Sequence, residues 1–150
     1  MAAFGYYHDS GADAPNFARP INTGDPLLAE IDNAVGGTVD TKVWFGSDIA
    51  TNKVRANSNP GVDQITTSIT DSIGGNSNPT TRVKLATTQA GLAGATGGAA
   101  INMGTQILGA SANAFRLWTR YTGPSGENGG NPITYTDLGF TTNQLRQEAI

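Results

Sequence analysis

The chain has 150 residues, a formal net charge of −3, 14% charged residues, one histidine (His8) and no cysteine. These numbers exclude a disulfide framework, a thiol nucleophile, an iron–sulfur cluster and any zinc site built on Cys or on several His. The acidic balance argues against a general nucleic-acid binder, which needs a basic face, and the 20 glycines and 7 prolines suit short strands joined by turns better than a helical bundle.

Residues 1–26 carry Phe4, Tyr6, Tyr7 and Phe17 among Pro15, Pro20 and Pro26. Proline removes ladder donors and pushes the preceding residue extended. The segment therefore reads as an extended N-terminal arm, its aromatics packing on the parent domain or on another subunit. No basic stretch followed by a long apolar one opens the chain, and no run reaches the ~20 apolar residues of a membrane helix. The expectation is a protein made and used without secretion or membrane insertion.

Residues 27–33 read as a helical turn or a strand, and 41–47, with Val43, Trp44 and Phe45, as a strand. The Asn- and Pro-rich stretch 48–61 reads as a loop or irregular edge. Residues 62–73 alternate most clearly: Ile65, Thr67, Ile69, Asp71 and Ile73 share one face, and β-branched residues favour a strand. A second strand, 81–88, places Val83 and Leu85 inward, and GGNSNP between the two predicts a hairpin connection. The Ala/Gly run 89–99 suits close backbone approach rather than a helix. Residues 100–108 place Ile101, Met103, Thr105 and Ile107 on one face, with Gly104 marking a bulge or close contact. Residues 114–121 set Phe115, Leu117, Thr119 and Tyr121 against Arg116, Trp118 and Arg120. A loop at 122–132 precedes a last strand at 133–140, and the tail 143–150 is too short for an independent helix. About six or seven strands spaced by turns give an all-β fold: a single β-sandwich, Ig-like or jelly-roll-like, over 27–142, with the arm at 1–26 and the tail at 143–150.

No cluster assembles chemistry. His8 neighbours Asp9 and Ser10 in sequence only and reads as an exposed arm histidine, with no GxSxG elbow anywhere. Glutamates are scattered, and Asp9 and Asp13 lack EF-hand spacing. GLAGATGG lacks the GK[ST] ending of a phosphate loop. No catalytic, metal-binding or cofactor-binding residue is assigned, and the chain is not read as an enzyme. The stripe Arg116, Trp118 and Arg120 admits three readings: a stacking platform, a protein contact rich in interface-type residues, or a core position if the inward and outward faces are inverted.

The run from Lys84-Leu85-Ala86 through Gly91-Leu92 and ATGGAAINMGTQI to Ser111-Ala112-Asn113-Ala114-Phe115-Arg116-Leu117-Trp118-Thr119-Arg120 resembles small structural proteins of tailed bacteriophage virions. The similarity extends over roughly residues 60–145. It implies a β-sandwich decoration, cement or tail-associated subunit, located in the virion after assembly in the host cytoplasm, and brings no catalytic residues with it. The expected partner is the major capsid protein or another virion protein, with a homo-oligomer or many copies per particle and no nucleic acid or membrane. Phe4, Tyr6, Tyr7, Phe17, Arg19, Arg116, Trp118 and Arg120 are the expected interface residues. A neck, tail or baseplate subunit is the near alternative. A carbohydrate- or receptor-binding sandwich using Trp118, Trp44 or Tyr121 is the alternative of another class.

Overall fold

A computed structural model describes residues 3–22, 24–32, 34–71, 80–126, 133–135 and 138–150. The described residues form thirteen strands: β1 (Gly5–Asp9), β2 (Pro15–Pro20), β3 (Ala29–Ile31), β4 (Gly37–Gly46), β5 (Asn52–Ala56), β6 (Thr66–Asp71), β7 (Val83–Ala86), β8 (Ile101–Asn102), β9 (Ile107–Leu108), β10 (Phe115–Gly123), β11 (Ile133–Tyr135), β12 (Leu138–Thr142) and β13 (Leu145–Ala149). Three short 3-10 turns, Thr80–Arg82, Ala90–Gly94 and Ser111–Asn113, are the helical elements among them. The mostly β architecture expected from composition is what forms.

Every pairing is antiparallel. A five-stranded sheet runs β2-β1-β4-β10-β7; two three-stranded sheets run β12-β6-β8 and β13-β5-β9; β11 and β3 make a two-stranded ribbon. The long pair β4 and β10 is the spine, in register from Phe115 opposite Phe45 to Gly123 opposite Gly37. Strand alternation sends Leu117, Thr119 and Tyr121 into the interior, and each is at most 1% exposed. One buried cluster joins Val43, Phe45, Leu117 and Val83 of the five-stranded sheet to Val54, Ile107, Ile31 and, just before β6, Ile65, and the partly buried Ile69, Ile101 and Phe140 of the β12-β6-β8 sheet pack against it. A buried polar chain crosses between sheets. Thr67 Oγ1 donates to Met103 Sδ at 3.0 Å and lies 2.9 Å from the Tyr6 hydroxyl. A threonine has one hydroxyl proton, so Tyr6 donates to Thr67 and the chain is satisfied throughout.

Several elements depart from the expectations. Residues 5–9 and 15–20 lie in the five-stranded sheet rather than extending as an arm, because alternation lets Tyr6 reach the core while Tyr7 covers the opposite face. The strands expected to form a hairpin do not pair: β6 bonds β12 and β8, whereas β7 bonds β10. Their connection GGNSNP, together with Ile73, lies outside the described residues. The apolar run 100–108 divides at Gly104, whose φ of +98° turns the chain from β8 in one sheet to β9 in another. The expected strand 133–140 likewise splits into β11 and β12, in separate sheets. The stretch 48–61 contains β5, and the tail forms β13 beside it.

The Ala/Gly run acquires a definite role. After the turn Ala90–Gly94, Gly97 passes so close to Thr81 that a Cβ would sit 1.9 Å from its carbonyl oxygen. Gly98 N–H then donates to Val83 O at 2.8 Å. Glycine lets this segment lie beside the outer edge of β7 and bond it at Val83, which shortens the template for unwanted strand pairing.

Candidate protein-binding face

The side of the five-stranded sheet turned away from the core holds most of the expected interface residues. In register, Arg116 stands opposite Trp44, Trp118 opposite Lys42, and Arg120 opposite Asp40. On the other flank Trp118 faces Ala86 and Arg120 faces Lys84. Tyr7 is opposite Trp44 on β1, and Phe17 on β2 packs edge-on against Tyr7 at 4.9 Å. Tyr7 and Trp44 are buried, yet they sit outside the main core cluster. The outer face thus has its own small aromatic cluster.

Most of the charge on this face is held in ion pairs. Asp13 accepts from Arg116 Nη1 at 2.9 Å and from Lys42 Nζ at 3.0 Å. Lys42 Nζ also lies 3.6 Å from Asp9 and 5.8 Å from the centre of the Trp118 ring, within cation–π range. Asp9 Oδ1 accepts from Trp44 Nε1 at 2.7 Å. Arg120 holds Asp40 through two parallel bonds, and Gln89 adds a third donor to Asp40 at 3.3 Å. The Lys42 and Arg116 hydrogen bonds hold the Asp13 carboxyl below the usual carboxylate range, and the Arg120 bond does the same for Asp40. Asp13 in turn raises Lys42. Asp13 adopts a left-handed backbone (φ 55°) in the β1–β2 turn, a conformation Asp tolerates better than most residues.

The face gathers Tyr7, Phe17, Arg116, Trp118 and Arg120. Phe4 and Tyr6 turn to the other side and pack on Phe45, with ring centres 6.3 and 5.0 Å away. Burial there pushes the Tyr6 hydroxyl up to about 12. Arg19 projects from the sheet edge and is clamped by Asp25 through two bonds of 2.8 and 3.0 Å. Leu117, Thr119, Tyr121 and Gly123 are the buried residues of β10, so Trp118 lies on the outer face and not in the core. Trp44 and Tyr121 are both buried and offer no stacking platform, which leaves Trp118 for any planar ligand. His8 is buried rather than exposed, at 8%, with Nε2 2.9 Å from Asp25 O. Asp9 points to the opposite face, so the His8-Asp9-Ser10 run does not converge. Among the described residues no group of three metal-ligating side chains occurs.

No protein-family model, no curated protein and no solved structure matches this chain.

Sequence pattern identified the β10 stripe but missed the acidic half of the face. Asp13 and Asp40 are far from Arg116 and Arg120 in sequence, and the β1–β2 turn and the β4–β10 register bring them together. An open groove of about 510 Å³ adjoins the face at Arg116, with Met103, Ile107 and Phe115 on its apolar side and Gln106 and Asn113 on its polar side.

Proposed function

We propose that the chain is a structural subunit of a tailed-bacteriophage virion, a capsid decoration or cement protein that seats the outer face of its five-stranded sheet on the major capsid protein. Its fold in this reading is a single β-sandwich, the five-stranded sheet against the smaller ones; the core cluster shared by all sheets supports this. The observation that carries the functional reading is half-buried Trp118 at the middle of a face whose Lys42, Arg116 and Arg120 are already held by Asp13 and Asp40. Trp and Arg concentrate binding energy at interfaces. Cations fixed in hydrogen-bonded pairs lose little side-chain freedom when a partner covers them. The resemblance of residues 84–120 to virion proteins supplies the class of partner.

Quantitative mass spectrometry of virions made by the genome that encodes this chain tests the reading. The expected result is a copy number comparable to the capsid protein's, with loss from the particle in Trp118→Asp. A copy number of one small ring moves the subunit to the neck, tail or baseplate. Absence from purified virions overturns the reading.

A further inference from the structure

We propose that β13 is a self-pairing edge: two copies of the chain join antiparallel along Leu145–Ala149 about a two-fold axis at Gln147, merging their β13-β5-β9 sheets into one. Among the described residues β13 pairs with β5 alone. The edges of the five-stranded sheet are managed differently. Pro15 and Pro20 bound β2, and Gly98 bonds the outer side of β7. β13 contains neither proline nor glycine.

The direction of its backbone groups follows from its ends. Asn57 N–H donates to Gln144 O and Ile150 N–H donates to Thr51 O, both at 2.8 Å. In an antiparallel ladder, alternate residues aim both backbone groups at the same neighbour. Even-numbered residues of β13 therefore face β5, and Leu145, Gln147 and Ala149 direct N–H and C=O outward. An antiparallel copy centred on Gln147 pairs Gln147 with Gln147 and Leu145 with Ala149, each exchanging two backbone hydrogen bonds. The same register sets Arg146 opposite Glu148 of the second copy in a non-hydrogen-bonded pair, where side chains approach most closely.

The charges fit this register. Within one copy, Glu148 serves three cations: Arg146 at 3.0 Å, Arg55 at 3.6 Å and Lys53 at 4.0 Å. Arg146 is the most exposed of them, at 60%, and has donors left for a second carboxylate. The strand is self-complementary in charge when it runs against itself, so a second copy fits this edge better than an unrelated strand.

Sedimentation equilibrium over a range of concentrations tests the dimer. Gln147→Pro removes the N–H at the axis and no bond to β5, an edge placement that proline tolerates. It is expected to raise the dimer dissociation constant on the order of 10- to 100-fold with the melting temperature of the monomer retained. Arg146→Glu sets like charges opposite one another and is expected to weaken the dimer without altering the backbone, so it carries the test if the proline variant does not fold. A chain that stays monomeric throughout, or a dimer that survives both variants, overturns the proposal. The dimer is independent of the virion reading: Trp118→Asp leaves it intact, so the two proposals fail separately.

Discussion

Arg120 and Asp40 meet across the β4–β10 ladder as a bidentate pair, Nε to Oδ1 at 2.7 Å and Nη2 to Oδ2 at 2.9 Å. They are directly opposite in register, so the planar guanidinium matches the carboxylate without distortion of either strand. Lysine carries the same charge but offers no such fork. Arg120→Lys is therefore expected to lower the melting temperature almost as far as Arg120→Ala. Equal melting of Arg120→Lys and the wild type removes geometry from the account.

Acid titration reads the same network. Cation partners hold Asp13, Asp25 and Asp40 below the ordinary carboxylate range. A carboxyl depressed in the folded state binds protons more readily when unfolded. Its contribution is complete above the unfolded Asp value of ~3.9 and fades as pH falls through the folded value. Melting temperature should be nearly flat from pH 7 to ~5 and drop below ~4. Asp40→Asn should melt lower at pH 7 and lose less on acidification. Parallel curves for variant and wild type would remove Asp40 from the acid response.

How much of this was legible beforehand depended on the range of the signal. Alternation is local: it separates Leu117, Thr119 and Tyr121 from Arg116, Trp118 and Arg120, and the fold decides between the faces by burying the first set. Ile65 and Thr67 share a face by the same alternation, and both are fully buried. Pairing is not local. The short gap between β6 and β7 suggested a hairpin, but each strand bonds partners more distant in sequence. β5 and β13 carry little strand signal because Val54, Ala56 and Leu145 are few and sit among polar residues; they are strands because they pair with each other. Asp13 and Asp40 carry no motif at all: strand register brings Asp40 to Arg120, and the β1–β2 turn brings Asp13 to Arg116 and Lys42.

Two glycines in the same run should respond oppositely to alanine. At Gly97 a Cβ would stand 1.9 Å from Thr81 O, whereas at Gly94 nothing lies within 4 Å. Gly97→Ala should cost about 1–3 kcal/mol, as other overpacked positions do. Gly94→Ala should be neutral or stabilising by up to about 1 kcal/mol, through the unfolded chain. Denaturant midpoints measure both, and equal effects would mean that the 95–99 segment moves freely off the β7 edge.

The Tyr6 hydroxyl is the first donor of the chain that runs through Thr67 to Met103. Tyr6→Phe keeps the ring against Phe45 and Phe140, with centres 5.0 and 5.3 Å away, and removes only that donor. Thr67 still donates to Met103, so the cost should be about 0.5–1.5 kcal/mol. Thr67→Val removes the middle of the chain and leaves the buried tyrosine hydroxyl unpaired, which should cost more, about 1–3 kcal/mol. Chemical denaturation ranks the two, and a larger loss for Tyr6→Phe would reverse the donor assignment.

Adjacent residues on β10 separate folding from binding. Leu117 is fully buried in the core cluster, so Leu117→Ala should cost about 2–5 kcal/mol through lost transfer energy and the cavity left behind. Trp118 points the other way, half-buried beneath the Lys42 ammonium. Its truncation leaves the core intact, and Trp118→Ala should cost only about 1 kcal/mol. Particle incorporation should fall sharply in Trp118→Ala and only in proportion to folded protein in Leu117→Ala. Denaturant melts of the free chains, set beside the amount recovered in virions, measure both quantities on the same preparations. If Trp118→Ala enters particles at the wild-type level, the outer sheet face is not the surface that meets the capsid.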